Sequence, residues 1–153
     1  MIEYRQAVSG KDENILAELG LLLYPGENTF ESLYAEAQEH LDSDKWATFL
    51  AVDTITNKAI GMGEFALRAD YVEGMEGDGD IPIGYVEGIF TMPEYRKQYI
   101  AKKLVEHGEN WARKNGCIEF ASDCYIDNTD SFSFHLKIGF AEAGRVIHFI
   151  KKL

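Results

Sequence analysis

The stretch from Ile83 to Lys114 does most to restrict what this chain can fold into. Ile83–Thr91 is an apolar and aromatic run interrupted by one acid, Glu87, and its length suits a buried strand. Met92-Pro93 ends it, because proline has no N–H to give to a strand ladder. A helix follows whose apolar stripe is Ile100, Leu104, Val105, Gly108, Trp111 and Ala112, with Gly116 placed to cap its C-terminus. A strand that feeds an amphipathic helix calls for a sheet with that helix packed on its face.

The flanking segments extend the pattern. Ile2–Ala7 reads as a strand. From Asp12, a residue suited to N-capping, Ile15, Leu16, Leu19, Leu22 and Leu23 recur at helical spacing until Pro25-Gly26. Asn28 and Glu31 have the spacing of a capping box, opening a helix with Phe30, Leu33, Tyr34, Ala37 and Leu41 on one face. Strands are expected at Ala47–Asp53 and Ala59–Ala69, joined by a short turn. Cys117–Ser122 reads as a further strand. Asn128 or Thr129 caps a short helix, and two short strands are expected between Phe140 and Lys152. The whole is a mixed α/β (α+β) architecture on one sheet with about four helices. The 153 residues suit a single domain spanning 1–153, and 46% hydrophobic content suffices for its core.

Charge is distributed unevenly. The chain carries 15 basic and 26 acidic residues, a net of −11. Residues 1–95 hold 19 acids and 5 bases, whereas residues 96–153 hold 10 bases and 7 acids. An acidic total disfavours binding to nucleic acid or to an anionic membrane surface. The asymmetry points either to partners of opposite sign or to a solvated acidic surface that keeps the protein soluble. Five of those 19 acids sit in one glycine-rich loop, residues 70–82, with Asp70, Glu73, Glu76, Asp78 and Asp80 among Gly74, Gly77 and Gly79. Two cysteines, no signal-peptide pattern and no long apolar run lead to the expectation of a cytoplasmic protein with reduced thiols and no metal.

Arg96 and Lys97 stand at the start of the amphipathic helix, where cations oppose the helix dipole unless an anion lies nearby. Free N–H groups flanked by Arg and Lys suit a phosphate seat, the alternative being ordinary cations on a solvated face. Arg96-Lys97-Gln98-Tyr99-Ile100-Ala101 resembles, at its first and last positions, the pyrophosphate-binding loop of the GNAT superfamily of N-acetyltransferases. Tyr99 departs from it, standing where that loop usually has glycine. The likeness is broader than this loop. Asp70–Gly74, Tyr85–Phe90, Asn115–Cys117, Ala121–Asp123, Asp127–Thr129, Ile138–Phe140 and Arg145–Ile147 occur in an order that looks like the short, dimeric aminoglycoside 6'-N-acetyltransferases of that superfamily.

The resemblance implies a mostly antiparallel mixed sheet splayed between its fourth and fifth strands, with acetyl-CoA as co-substrate and a homodimer as the assembled form. It implies cofactor contacts from Ile89, Phe90, Thr91, the loop of Arg96, Lys97, Gln98, Tyr99, Ile100 and Ala101, and Asn128. It places Tyr24, Glu27, Tyr71, Glu87 and Asp123 around a cationic substrate. Glu87 and Asp123 would bind and deprotonate the amine, which then attacks the thioester directly. His135 occupies a position where many superfamily members place a tyrosine, and one further family acid maps onto Gly144. Neither cysteine has a paired base in the sequence, which disfavours covalent catalysis. Two alternatives remain open at this point: acetylation of a polyamine or another small cationic amine, and non-catalytic binding of cationic compounds.

Overall fold

The computed structural model describes residues 1–76 and 79–153; Gly77 and Asp78 of the acidic loop lie outside the described residues. The elements run β1 (Ile2–Gln6), α1 (Glu13–Leu23), α2 (Phe30–Asp42), β2 (Trp46–Asp53), β3 (Lys58–Arg68), β4 (Ile83–Thr91), a 3-10 turn at Pro93–Tyr95, α3 (Ile100–Lys114), β5 (Phe120–Ala121) and α4 (Thr129–Lys137). They form one sheet in the order β1-β2-β3-β4-β5. The first three pairings are antiparallel and β4 with β5 is parallel.

Both faces of the sheet are covered. Leu16, Leu19 and Ala37 from α1 and α2 pack with Leu50, Met62 and Phe90 on one side. Ile100 and Leu104 of α3 pack with Phe49, Ile60, Phe65 and Val86 on the other. Gly108 permits the second contact, since a Cβ there would stand 2.5 Å from the Phe65 ring. A strand interior covered on two faces reads as a near-continuous apolar run, as β2, β3 and β4 do.

Two features of the ladder shape the site. The β3–β4 register slips between Glu64 and Phe65, so that Gly88 faces Glu64, Val86 faces Phe65, and Glu87 is the extra residue of a bulge. The β4–β5 ladder consists of Gly84 with Phe120 and Tyr85 with Ala121. Beyond Tyr85 no further pairs join the two strands, which is the expected splay.

Several local expectations are corrected. Asp12 occupies the N-cap position of α1 but makes no side-chain cap. Its fully buried carboxylate accepts two hydrogen bonds of 2.7 Å from Arg5 and one of 2.8 Å from the Val8 N–H. The capping box of α2 is Thr29 with Ser32, one residue later than Asn28 with Glu31. The strand expected at Cys117–Ser122 shortens to Phe120–Ala121. The expected hairpin from Phe140 to Lys152 is absent from the described chain; residues 141–153 are exposed and outside any strand. No helix among the described residues is long and apolar enough to cross a membrane.

Candidate active site

The site gathers where α1 ends over the bulge of β4. Tyr24 is the C-cap residue of α1, half-buried, and its ring descends toward Gly88. A Cβ on Gly88 would lie 2.9 Å from Glu64 Oε2 and 3.2 Å from the Tyr24 hydroxyl, so a glycine there leaves room for both groups. Burial pushes the Tyr24 phenol up to about 12, and the carboxylates Glu64, Glu36, Glu87 and Glu27 reinforce the shift. Tyr24 therefore stays neutral among acids, an aromatic wall within a negative field. Glu27 lies exposed just past it.

Glu87 does not stand alone. Arg68 donates from Nε to Glu87 Oε1 at 2.8 Å and from Nη2 to Oε2 at 2.9 Å. The same guanidinium lies 3.5 Å from the centroid of the Tyr85 ring. Tyr85 in turn donates its hydroxyl to Asp123 Oδ2 at 2.7 Å. Burial and that hydrogen bond hold the Tyr85 phenol well above its ordinary range, so it serves as a donor. The structure thus joins Glu87 and Asp123 through Arg68 and Tyr85, a connection the sequence did not show. Asp123 is exposed and not buried, because β5 ends two residues before it.

Tyr71 is 71% exposed, and its hydroxyl donates to Glu73 at 3.2 Å. Gly144, where a family acid would fall, lies against that same loop. A Cβ on it would stand 2.9 Å from Glu73 Cγ, so a carboxylate side chain already fills the neighbouring space. Glu142 is turned aside and paired with Arg145.

The expected cofactor residues divide into two kinds. The side chains of Phe90 and Ile100 belong to the two cores, leaving their backbones for any ligand. Ile89 is half-buried, and Thr91 is buried with its hydroxyl oxygen unpartnered among the described residues. Arg96, Lys97, Gln98 and Tyr99 are exposed, while Ala101 is half-buried on the first turn of α3. Lys97 and Tyr99 both adopt left-handed backbone, with φ of 61° and 63°. Tyr99 thus takes the conformation that a glycine would supply, and its side chain points to solvent, 75% exposed. The helix start behind it keeps the backbone donors that no intrahelical carbonyl can reach. An orphaned buried hydroxyl on β4, an open β4 edge and a cationic helix start suit a long anionic thioester such as acetyl-CoA.

Asn128 caps α4, its Oδ1 accepting from the Ser131 N–H at 3.1 Å. His135 is held at both ring nitrogens, with Nε2 2.7 Å from Ser122 Oγ and Nδ1 2.7 Å from the Ser131 carbonyl. Only a donor can face that carbonyl, so Nδ1 carries a hydrogen, and Nε2 pairs with the Ser122 hydroxyl. His135 ties α4 to the end of β5.

Two residues at the site are not evident from the sequence. Arg68 acts across a strand pair, and Glu64 lies inside an apolar run. A lone acid in such a run is the available signal for Glu64, as it is for Glu87.

Comparison with known proteins agrees with this architecture. Residues 15–140 match the acetyltransferase (GNAT) family. An aminoglycoside N(6')-acetyltransferase type 1 of Acinetobacter genomosp. 13 is 39% identical over 144 residues, covering 92% of this chain and 94% of the relative. A protein of the same name from Salmonella typhimurium is 36% identical over 130 residues, covering 85% and 86%. Among solved structures, AAC(6')-Iy in complex with the bisubstrate analogue CoA-S-monomethyl-acetylneamine superposes with a TM-score of 0.90 at 32% identity, covering 100% of this chain and 99% of that one. AAC(6')-Ih from Acinetobacter baumannii gives 0.88 at 33%, with the same coverage. The chain belongs to the GNAT family of acetyltransferases.

Proposed function

We propose that this protein transfers an acetyl group from acetyl-CoA to the 6'-amine of aminoglycosides by direct attack of the amine. The observation that carries this reading is the open β4 edge beside a recess of carboxylates, in a chain whose relatives bear that activity in their names. Bound acetyl-CoA supplies the activated acyl group. The backbone of Ile89, Phe90 and Thr91 pairs with its arm along the open edge. The loop from Arg96 to Ala101 holds its phosphates with the α3 N-terminus, and Asn128 borders the far side of the gap. A backbone N–H at the thioester oxygen contributes roughly 2.7–4 kcal/mol to such reactions.

Tyr24, Glu27, Tyr71, Glu87 and Asp123 receive the polycationic substrate. Glu87 and Asp123 fix its ammonium groups from the ends of the Arg68–Tyr85 chain. Acetylation removes a positive charge from the substrate, which weakens its hold on these acids and favours product release.

The same reading makes the chain one acetyltransferase domain that works in the cytoplasm as a homodimer. Val146, Ile147, Phe149, Ile150 and Leu153 are each at least 67% exposed, an apolar fringe that a second copy would cover.

The test is a panel of amines read by CoA release. Turnover of kanamycin or tobramycin well above that of spermidine supports the reading. The reverse order makes the enzyme a polyamine acetyltransferase. No CoA release, together with no heat on titration of CoA, makes it a binder of cations.

A further inference from the structure

One acid near the bulge, Glu64, is not among the residues that receive the substrate or the cofactor in the proposed function. Glu64 sits on β3 opposite Gly88, its carboxyl against the Gly88 backbone. Gly88 directly precedes Ile89–Thr91, the segment that faces the thioester on the proposed reading. Among the described residues, Glu64 accepts no hydrogen bond and makes no ion pair. It keeps a small part of its surface open to the recess lined by Leu16, Gly20, Tyr24, Leu33 and Glu36, while protein crowds the carboxyl elsewhere. The two other acids near the reacting amine are committed, Glu87 to Arg68 in bidentate fashion and Asp123 to the Tyr85 hydroxyl.

We propose that the Glu64 carboxylate is the group that takes the proton from the substrate's ammonium. This rests on the reading of the protein as an acetyltransferase. In the step, the N–H⁺ bond breaks and its proton passes to a Glu64 oxygen, leaving a neutral amine. The amine's lone pair forms the N–C bond at the thioester carbonyl, and the C–S bond breaks with its pair going to sulfur. The nitrogen's surplus proton reaches the thiolate through solvent, and Glu64 returns its own proton to water.

The surroundings suit a base that cycles near neutrality. Burial, and then Glu36 and Glu87, push the Glu64 carboxyl up to about 7. The groups facing it are Tyr24 from α1, Glu36 from α2, and Glu87 on β4 with its partner Arg68. A base matched to the working pH is the most effective kind, typically contributing 10²–10⁴-fold. Arg68 withdraws Glu87 from that role, since both of its oxygens already accept hydrogen bonds from the guanidinium.

The experiment measures kcat against pH from 5.5 to 10 for wild type, Glu64→Gln and Glu64→Asp. The substrate is whichever amine the panel shows to be turned over, so failure of the aminoglycoside reading and failure of this one remain separate. The wild type is expected to lose kcat about tenfold per pH unit below roughly 7. Glu64→Gln is expected to lose on the order of 100-fold at pH 7.5 and the acidic limb with it. Its deficit should shrink toward pH 10, where the amine is already neutral in solution, and Glu64→Asp should restore the limb in part. Circular dichroism confirms folding of each variant. A folded Glu64→Gln that keeps the wild-type limb, or that raises only KM, overturns the proposal and makes Glu64 a mere contact for charge.

Discussion

Arg68 grips both carboxylate oxygens of Glu87 while its guanidinium plane rests on the Tyr85 ring. The strand on one side of the bulge thereby fixes the acid on the other. Charge-assisted hydrogen bonds of this type contribute about 1.5–3 kcal/mol where both partners are partly buried. Arg68→Gln is expected to lower the unfolding free energy by about 2 kcal/mol. It should also lower kcat/KM for a polycationic amine at least tenfold, because both Glu87 and Tyr85 lose their positions. Denaturant titration and steady-state kinetics on the one variant check both.

Tyr99 holds a left-handed backbone at the α3 N-terminus with φ of 63°. That conformation costs a non-glycine residue about 1–2 kcal/mol. Tyr99→Gly removes the strain but loosens the unfolded chain, so a net gain of about 0.5–1 kcal/mol is expected. Thermal melting should show a rise of about 2–3 °C, with KM for acetyl-CoA no worse than in wild type. A fall in melting temperature would show that the exposed ring has partners that outweigh the strain.

Glu64 makes stability depend on pH in the direction opposite to most carboxylates. Its folded pKa of about 7 exceeds the ordinary 4.5, so the folded state binds more protons between those values. Stability therefore falls as pH rises from 4.5 to 7, by about 3 kcal/mol from this group. Glu64→Gln should be more stable than wild type at pH 8 and nearly equal to it at pH 4.5. Urea titrations at the two pH values measure the difference.

Arg5 and Asp12 form the opposite case. Arg5 holds the buried Asp12 carboxyl below its ordinary range, with help from the Val8 N–H. That contribution is present above the ordinary Asp pKa and is lost as pH falls through the folded one. Arg5→Ala strands a buried charge and is expected to cost about 3–5 kcal/mol. Asp12→Asn leaves Arg5, which is 27% exposed, able to turn to water, and should cost less. Denaturation of the two variants at pH 7 gives the order directly.

The apolar C-terminal fringe predicts a concentration-dependent assembly. Ile147→Lys together with Ile150→Lys places two cations where exposed apolar side chains stand at 81% and 99%. Sedimentation should give a dimer for the wild type and a monomer for the variant. A wild-type monomer at micromolar concentration would remove the second copy from the reading.

Local pattern accounts for the elements that read well. The bounds of β4 follow from its apolar run and the proline behind it, and α3 from a stripe of six residues ending at Asn115-Gly116. What escaped was set across the sheet. The Glu87–Arg68 pair joins residues 19 apart, and its geometry depends on a bulge that no periodicity announces. Glu64 was hidden because β3 is covered on both faces and loses its alternation. The C-terminal segment has the apolar character of strands, but a strand forms only where a neighbour offers its backbone. The capping box slipped by one residue because Asn28, Thr29, Glu31 and Ser32 all have side chains able to cap.

The brevity of the β4–β5 ladder has a consequence for the life of the unliganded protein. A parallel pairing of two residue pairs leaves most of a long apolar strand with an uncovered rim of amides and carbonyls. Such a rim invites strand addition from any extended chain, and sheet proteins ordinarily shield it. On the proposed reading a metabolite does the shielding: acetyl-CoA lying along β4 would complete the sheet as a missing strand would. The enzyme's resistance to aggregation, and its melting temperature, should then follow the size of the cell's CoA pool.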